Sequence, residues 1–175
     1  MSAVCNQSKK IDINQIEFVG ILDLNKFLNL KKLYCNNCKF ITEIINLPES
    51  LTELVCDHNK IVQLDNLPMN LVKLVCDHNK IVQLDNLPMN LKHLNCSNNL
   101  ITQLDNLPES LINLNCSYNP INRLDNLPNY LEDLICKFNN LNLLNSLPIS
   151  LKSLDCRANY LIELVNLPNN LIKLN

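Results

Sequence analysis

The run Leu54-Val-Cys56-Asp-His-Asn59-Lys-Ile61-Val-Gln-Leu64-Asp-Asn66-Leu67-Pro68-Met-Asn-Leu71 returns letter for letter as Leu74 to Leu91. The copies lie 20 residues apart, and the same step carries the pattern along most of the chain. Leu51, Leu71, Leu91, Leu111, Leu131, Leu151 and Leu171 keep it, as do Leu54 through Leu174, Cys56 through Cys156 and Asn59 through Asn159. Each unit closes on Asn-Leu-Pro or, once, Ser146-Leu-Pro. Seven copies of the unit and the start of an eighth run from Leu30 to Asn175. A fixed period of this length marks a repeat architecture, in which each unit buries its apolar edge against its neighbours.

Leu54-Val-Cys56 alternates with period two, which sends Leu54 and Cys56 to one side and Val55 to the other. That is a short strand with one buried face. Copies stacked in register make a parallel sheet with strands about 4.8 Å apart. Asn59 follows where the chain leaves the strand, and a buried carboxamide there can both give and accept backbone hydrogen bonds. Repeated, it becomes an asparagine ladder. The return path, Ile61 to Pro68, is too short for a packed helix, and proline favours extended chain.

The expected fold is therefore mainly β: a solenoid with a parallel concave sheet and extended, non-helical convex segments. Residues 1–29 are expected to form an irregular N-terminal cap, with strand and helix both open for Ile11, Ile13, Ile16 and Phe18. Residues 30–175 are the repeats, the first irregular because Leu30 to Leu51 spans 21 residues and Cys38 stands where asparagine is expected. The last unit is incomplete.

The unit L-x-x-L-x-C-x-x-N-x-[IL]-x-x-L-x-[NS]-L-P-x-x carries the leucine-rich-repeat signature, with cysteine in the third apolar slot. Leu67-Pro68-Met-Asn-Leu71-Val-Lys-Leu74 resembles the 20-residue repeats of secreted bacterial leucine-rich effectors. The cysteine column and the Asn-rich, Gly-poor composition resemble leucine-rich proteins of giant viruses that infect amoebae. Both resemblances imply a non-catalytic recognition module binding a protein partner, and neither transfers a fixed set of functional residues.

Composition narrows the alternatives. A net charge of −2 offers no general attraction to phosphate backbones, so nucleic acid is not an expected partner. The single glycine excludes phosphate-binding Gly-rich loops and nucleophile elbows. Neither an apolar leader nor a run long enough to span a bilayer is present, so no membrane contact and a cytoplasmic location (the host's, if the protein is viral) are expected.

Several constellations invite chemistry. Six of the nine cysteines share one inward slot, once per repeat. Their Cβ atoms, about 4.8 Å apart in register, exceed usual disulfide spacing, so they are expected to be buried, reduced core residues. Cys35-Asn-Asn-Cys38 lacks two further ligands for structural zinc, and Cys38 reads as a substituted asparagine slot. Asp57-His58 and Asp77-His78 are one repeat apart, but consecutive side chains diverge and the pair is explained by the duplication. No catalytic residue, cofactor or metal site is expected.

Function should lie on the outward, concave columns of the strands and the bend that follows them. Val55 and Val75 form one apolar patch there, with Asp57 and Asp77 beside them. Tyr118, Ile135 and Phe138 form another, beside Lys137 and Arg157. Aromatics and arginine dominate binding hot spots. These nine residues are the expected partner-binding set. The alternative is a self-associating unit: Leu164, Leu167, Leu171 and Leu174 face a C-terminal end with no polar cap, which would pair two copies.

Overall fold

The computed structural model describes residues 9–175, so Cys5 lies outside it. Its main sheet has nine parallel strands. They are β1 (Lys10–Asp12), β3 (Lys32–Tyr34), β5 (Glu53–Val55), β6 (Lys73–Val75), β7 (His93–Asn95), β8 (Asn113–Asn115), β9 (Asp133–Ile135), β10 (Ser153–Asp155) and β11 (Lys173–Leu174). Each pairs with the next in register, Leu54 against Leu74 and Leu74 against Leu94, so the period of the sequence becomes a translation in space. A second, two-stranded parallel sheet joins β2 (Phe18–Asp23) to β4 (Lys39–Ile45) on the opposite side of the first turns. No helix forms among the described residues, so none is long and apolar enough to cross a membrane.

Of the residues whose conformation the sequence leaves open, Ile11 and Phe18 are in strands, and Ile13 and Ile16 lie in the turn between them. Ile11 pairs with Leu33, giving the sheet one strand more than the eight that the leucine columns mark. The leucine count misses this turn because Ile11 precedes Leu33 by 22 residues and Leu33 precedes Leu54 by 21, against 20 thereafter.

Inside the coil the periodic leucines and cysteines are sealed from water: Leu54, Cys56, Leu74, Cys76, Cys96 and Cys116 are all buried. Truncating one such leucine to alanine removes about 2–5 kcal/mol. Burial pushes the thiols of Cys56, Cys76, Cys96 and Cys116 far up, holding them as inert neutral sulfur.

The asparagine ladder closes each bend. Asn99 Nδ2 donates to the carbonyls of Cys76 (3.0 Å), Cys96 (3.0 Å) and Ser97 (3.1 Å), while its Oδ1 accepts the Ile81 amide at 2.9 Å. Asn79, Asn119, Asn139 and Asn159 repeat the scheme. Cys38 does occupy the asparagine slot of the first irregular turn. Successive convex segments are joined by single backbone bonds such as Lys80 N to Ile61 O, 2.8 Å. The proline carbonyl then accepts the amide three residues on, Leu71 N to Pro68 O at 3.0 Å, and turns the chain back into the next strand.

Two columns of left-handed residues make the coil possible. The residue before each Leu-Pro (Asn46, Asn66, Asn86, Asn106, Asn126, Ser146 and Asn166) has φ between 51° and 57°. The residue before each ladder position (Asn37, His58, His78, Asn98, Tyr118, Phe138 and Ala158) has φ between 52° and 54°. Asparagine tolerates this region better than other non-glycine residues, and it fills most of the first column. The second column is less orthodox.

Candidate functional site

Parallel stacking sets side chains of equivalent positions side by side, about 4.8 Å apart, on the face that the core leucines avoid. The outer columns become lines of like-oriented groups tied to one another. Glu53 is gripped by Lys32 at 3.0 Å and Lys73 at 2.9 Å from the strands on either side. Burial alone would raise its carboxyl. The hydrogen bonds from Lys73, Lys32 and Tyr34 outweigh that and hold it at about 2. Farther along, His93 Nδ1 meets Asn113 Oδ1 at 2.6 Å, and Asn113 Nδ2 donates to Asp133 Oδ2 at 2.6 Å.

Between these chains lies a shallow groove of about 450 Å³. Val75 stands toward one end and Ile135 toward the other, with Asn95 and Asn115 between. Val55 and Val75 are register partners, both half-buried. Ile135 lies level with Asn115 and Asp155. The structure therefore sets Val75 of one apolar patch and Ile135 of the other at opposite ends of one groove and does not merge them.

Tyr118 and Phe138 come together on the rim. Their rings stack with centroids 4.4 Å apart and planes 9° from parallel. Both remain well exposed, at 43% and 47%. Lys137 places its ammonium 5.9 Å from the Tyr118 centroid, at the outer reach of a cation–π contact. Arg157 is engaged elsewhere: Nε and one terminal nitrogen grip Asp155 at 2.8 and 2.7 Å. Those bonds hold the Asp155 carboxyl below its ordinary range.

Asp57 and Asp77 point to the neighbouring histidines, not to the valines. Asp57 Oδ2 lies 2.9 Å from His58 Nδ1, and Asp77 Oδ2 lies 2.8 Å from His78 Nδ1. Asp77 Oδ1 also accepts from Asn95 Nδ2 at 2.8 Å. The expectation that these consecutive side chains diverge fails for three of them: His58, Asp77 and His78 offer donor atoms all within 4.8 Å of one another. The left-handed backbone at residue 58 and at residue 78 turns each ring back toward its aspartate. The signal missed was asparagine standing in the same bend position at Asn37 and Asn98, which marks a left-handed site in a chain with one glycine.

No protein-family model matches the sequence, and no curated protein matches it. Among solved structures it is similar to YopM, a leucine-rich effector protein from Yersinia pestis, with a TM-score of 0.83 and 28% identity. That match covers 96% of this chain and 48% of YopM. The functional domain of InlJ from Listeria monocytogenes, which includes a cysteine ladder, matches at a TM-score of 0.77 and 28% identity, over 94% of this chain and 43% of InlJ. A Shigella effector LRR domain, 24% identical, shares the fold at a TM-score of 0.77, over 89% of this chain and 71% of that one. The chain thus spans less than half the length of YopM and of InlJ. The chain is a leucine-rich-repeat solenoid.

Proposed function

We propose that this leucine-rich-repeat solenoid is a non-catalytic module that binds a protein partner on its concave face, anchored at the Tyr118–Phe138 stack. The supporting observation is where those rings stand. Both occupy left-handed backbone, φ 54° at each, although a bulky side chain there is strained. Asn37 and Asn98 serve the same bend without that cost, so aromatics are not needed to make it. Flat, exposed rings beside Lys137 are the groups that dominate hot spots.

The groove from Val75 to Ile135 extends the contact, and Val55, Asp57, Asp77 and Arg157 complete the proposed set. Nine strands at about 4.8 Å, four exposed residues wide, offer roughly 560 Å². A standard interface needs about 800 Å² per partner, so a tight complex would also engage a flank. The net charge of −2 argues against nucleic acid and anionic membrane as partners, and the buried, protonated cysteines argue against thiol chemistry.

The experiment is affinity capture with wild type beside Tyr118→Ala, Phe138→Ala and Gln63→Ala. A partner retained by wild type and Gln63→Ala but weakened by more than about 1 kcal/mol in either ring variant supports the reading. Equal retention by all four moves the site off this rim. A second reading, pairing of two copies through the last turns, rests on exposed Leu167, Ile172 and Leu174. A mass that rises with concentration and falls back on Leu174→Lys supports it, and a single-chain mass throughout removes it.

A further inference from the structure

Translation by one repeat lays the imidazole of His78 over that of His58, with ring centroids 4.1 Å apart and planes 11° from parallel. Each Nδ1 faces the carboxylate of the preceding aspartate, at 2.9 and 2.8 Å. An ionised carboxylate only accepts, so in the neutral ring the proton sits on Nδ1; a metal ion bound at Nδ1 takes that proton's place beside the carboxylate, and the ring proton moves to Nε2. The two rings are half exposed, at 50% and 46%, while the aspartates beside them are largely covered, at 17% and 13%.

The geometry points to a divalent transition-metal site formed by His58, His78 and the Asp77 carboxylate on the rim of the concave face. The three donor atoms already lie within 4.8 Å of one another. Zinc with nitrogen ligands at about 2.0–2.1 Å needs donor atoms roughly 3.3 Å apart, so the exposed rings have to tilt out of their stack, each Nδ1 toward the Asp77 carboxylate, to converge. Asp77 is steadied by the Asn95 carboxamide and does not have to be ordered on binding. Imidazole donors select zinc, nickel or copper over calcium and magnesium. Three protein donors leave a position for water or for a side chain brought by another molecule. A hollow of about 390 Å³ beside both rings gives that position room.

Neither histidine is required by the fold, because Asn37 and Asn98 take the same left-handed conformation in the turns before and after. His58→Asn and His78→Asn therefore keep the bend and remove a donor. The test titrates the metal-free full chain with Zn²⁺ by calorimetry and with Co²⁺ by visible absorption. One ion per chain is expected, each histidine variant and Asp77→Asn weakening it by about tenfold or more. The cobalt complex should show ligand-field bands of nitrogen and oxygen donors, without sulfur-to-metal charge transfer. Saturable Zn²⁺ should also raise the melting temperature of wild type and not of the double histidine variant. Undiminished binding in that double variant, a thiolate charge-transfer band, or no saturable binding overturns the site. Loss of the Tyr118–Phe138 partner interaction would leave it untouched.

Discussion

The thiol of Cys38 donates to the carbonyl of Ile13 at 3.0 Å. It does for the first irregular turn what Asn59 Nδ2 does for the next, reaching back to Cys35 O at 2.8 Å. Cysteine is thus a one-armed rung of the asparagine ladder. Cys38→Ala should leave the Ile13 carbonyl with the Ile16 amide alone, at 3.3 Å, and cost about 0.5–1.5 kcal/mol, while Cys38→Asn should be at least as stable as wild type. Chemical denaturation of the three proteins measures this, and equal stabilities would mean that the sulfur merely fills space.

The ladder also makes an internal comparison. Asn59 Oδ1 is buried without a partner, whereas Asn99 Oδ1 receives the Ile81 amide. One more residue separates Cys38 from Ile41 than Asn59 from Ile61, so the first irregular turn presents no amide at the matching point. Asn99→Ala should therefore destabilise more than Asn59→Ala, by about 1 kcal/mol for the extra hydrogen bond. The reverse order in urea midpoints would count against this reading.

Glu53 gives the molecule an acid-labile clasp. Its carboxyl is held at about 2, below the ordinary value near 4.3 for an unfolded chain. The stability it adds is complete above that ordinary value and disappears as pH falls toward 2. Glu53→Gln should flatten the loss of melting temperature between about pH 5 and 2. At neutral pH it should cost about 1 kcal/mol, since Lys32 and Lys73 can turn to water. An unchanged acid profile would remove Glu53 as the cause.

Thiol reactivity should follow burial. Cys56, Cys76, Cys96 and Cys116 are sealed, and burial raises their thiols far above ordinary values. A thiol reagent should label this column only on the timescale of unfolding, and all nine cysteines of the chain once denatured. Prompt native labelling of most of the column would place the sulfurs at the surface.

The interior was legible because a strict 20-residue period leaves each leucine, cysteine and ladder asparagine a single consistent side to face. Ile11 was not, because its spacing to Leu33 drifts and local alternation alone does not set register. On the outer face, Tyr118 and Phe138 could be placed as neighbours from numbering. Their stacking could not, since it follows from left-handed φ at both positions. Arg157 reads as available for a partner in the sequence, whereas in the structure Asp155, two residues back, grips it. The repeat length reveals columns, and the torsion angles decide what each column does.

The identity of Leu54–Leu71 with Leu74–Leu91 has a consequence for how such molecules change. A point substitution in a globular domain adds one functional group at an arbitrary location. Here, copying a turn adds a second instance of every group at one strand spacing from the first, already aligned with it. His78 over His58 is such a doubling. A single recombination event can therefore turn an isolated imidazole into a matched pair without any search through sequence space. Lineages of coils like this one can acquire multidentate surfaces by gene slippage, at the rate of genomic copying errors and not at the rate of paired mutations.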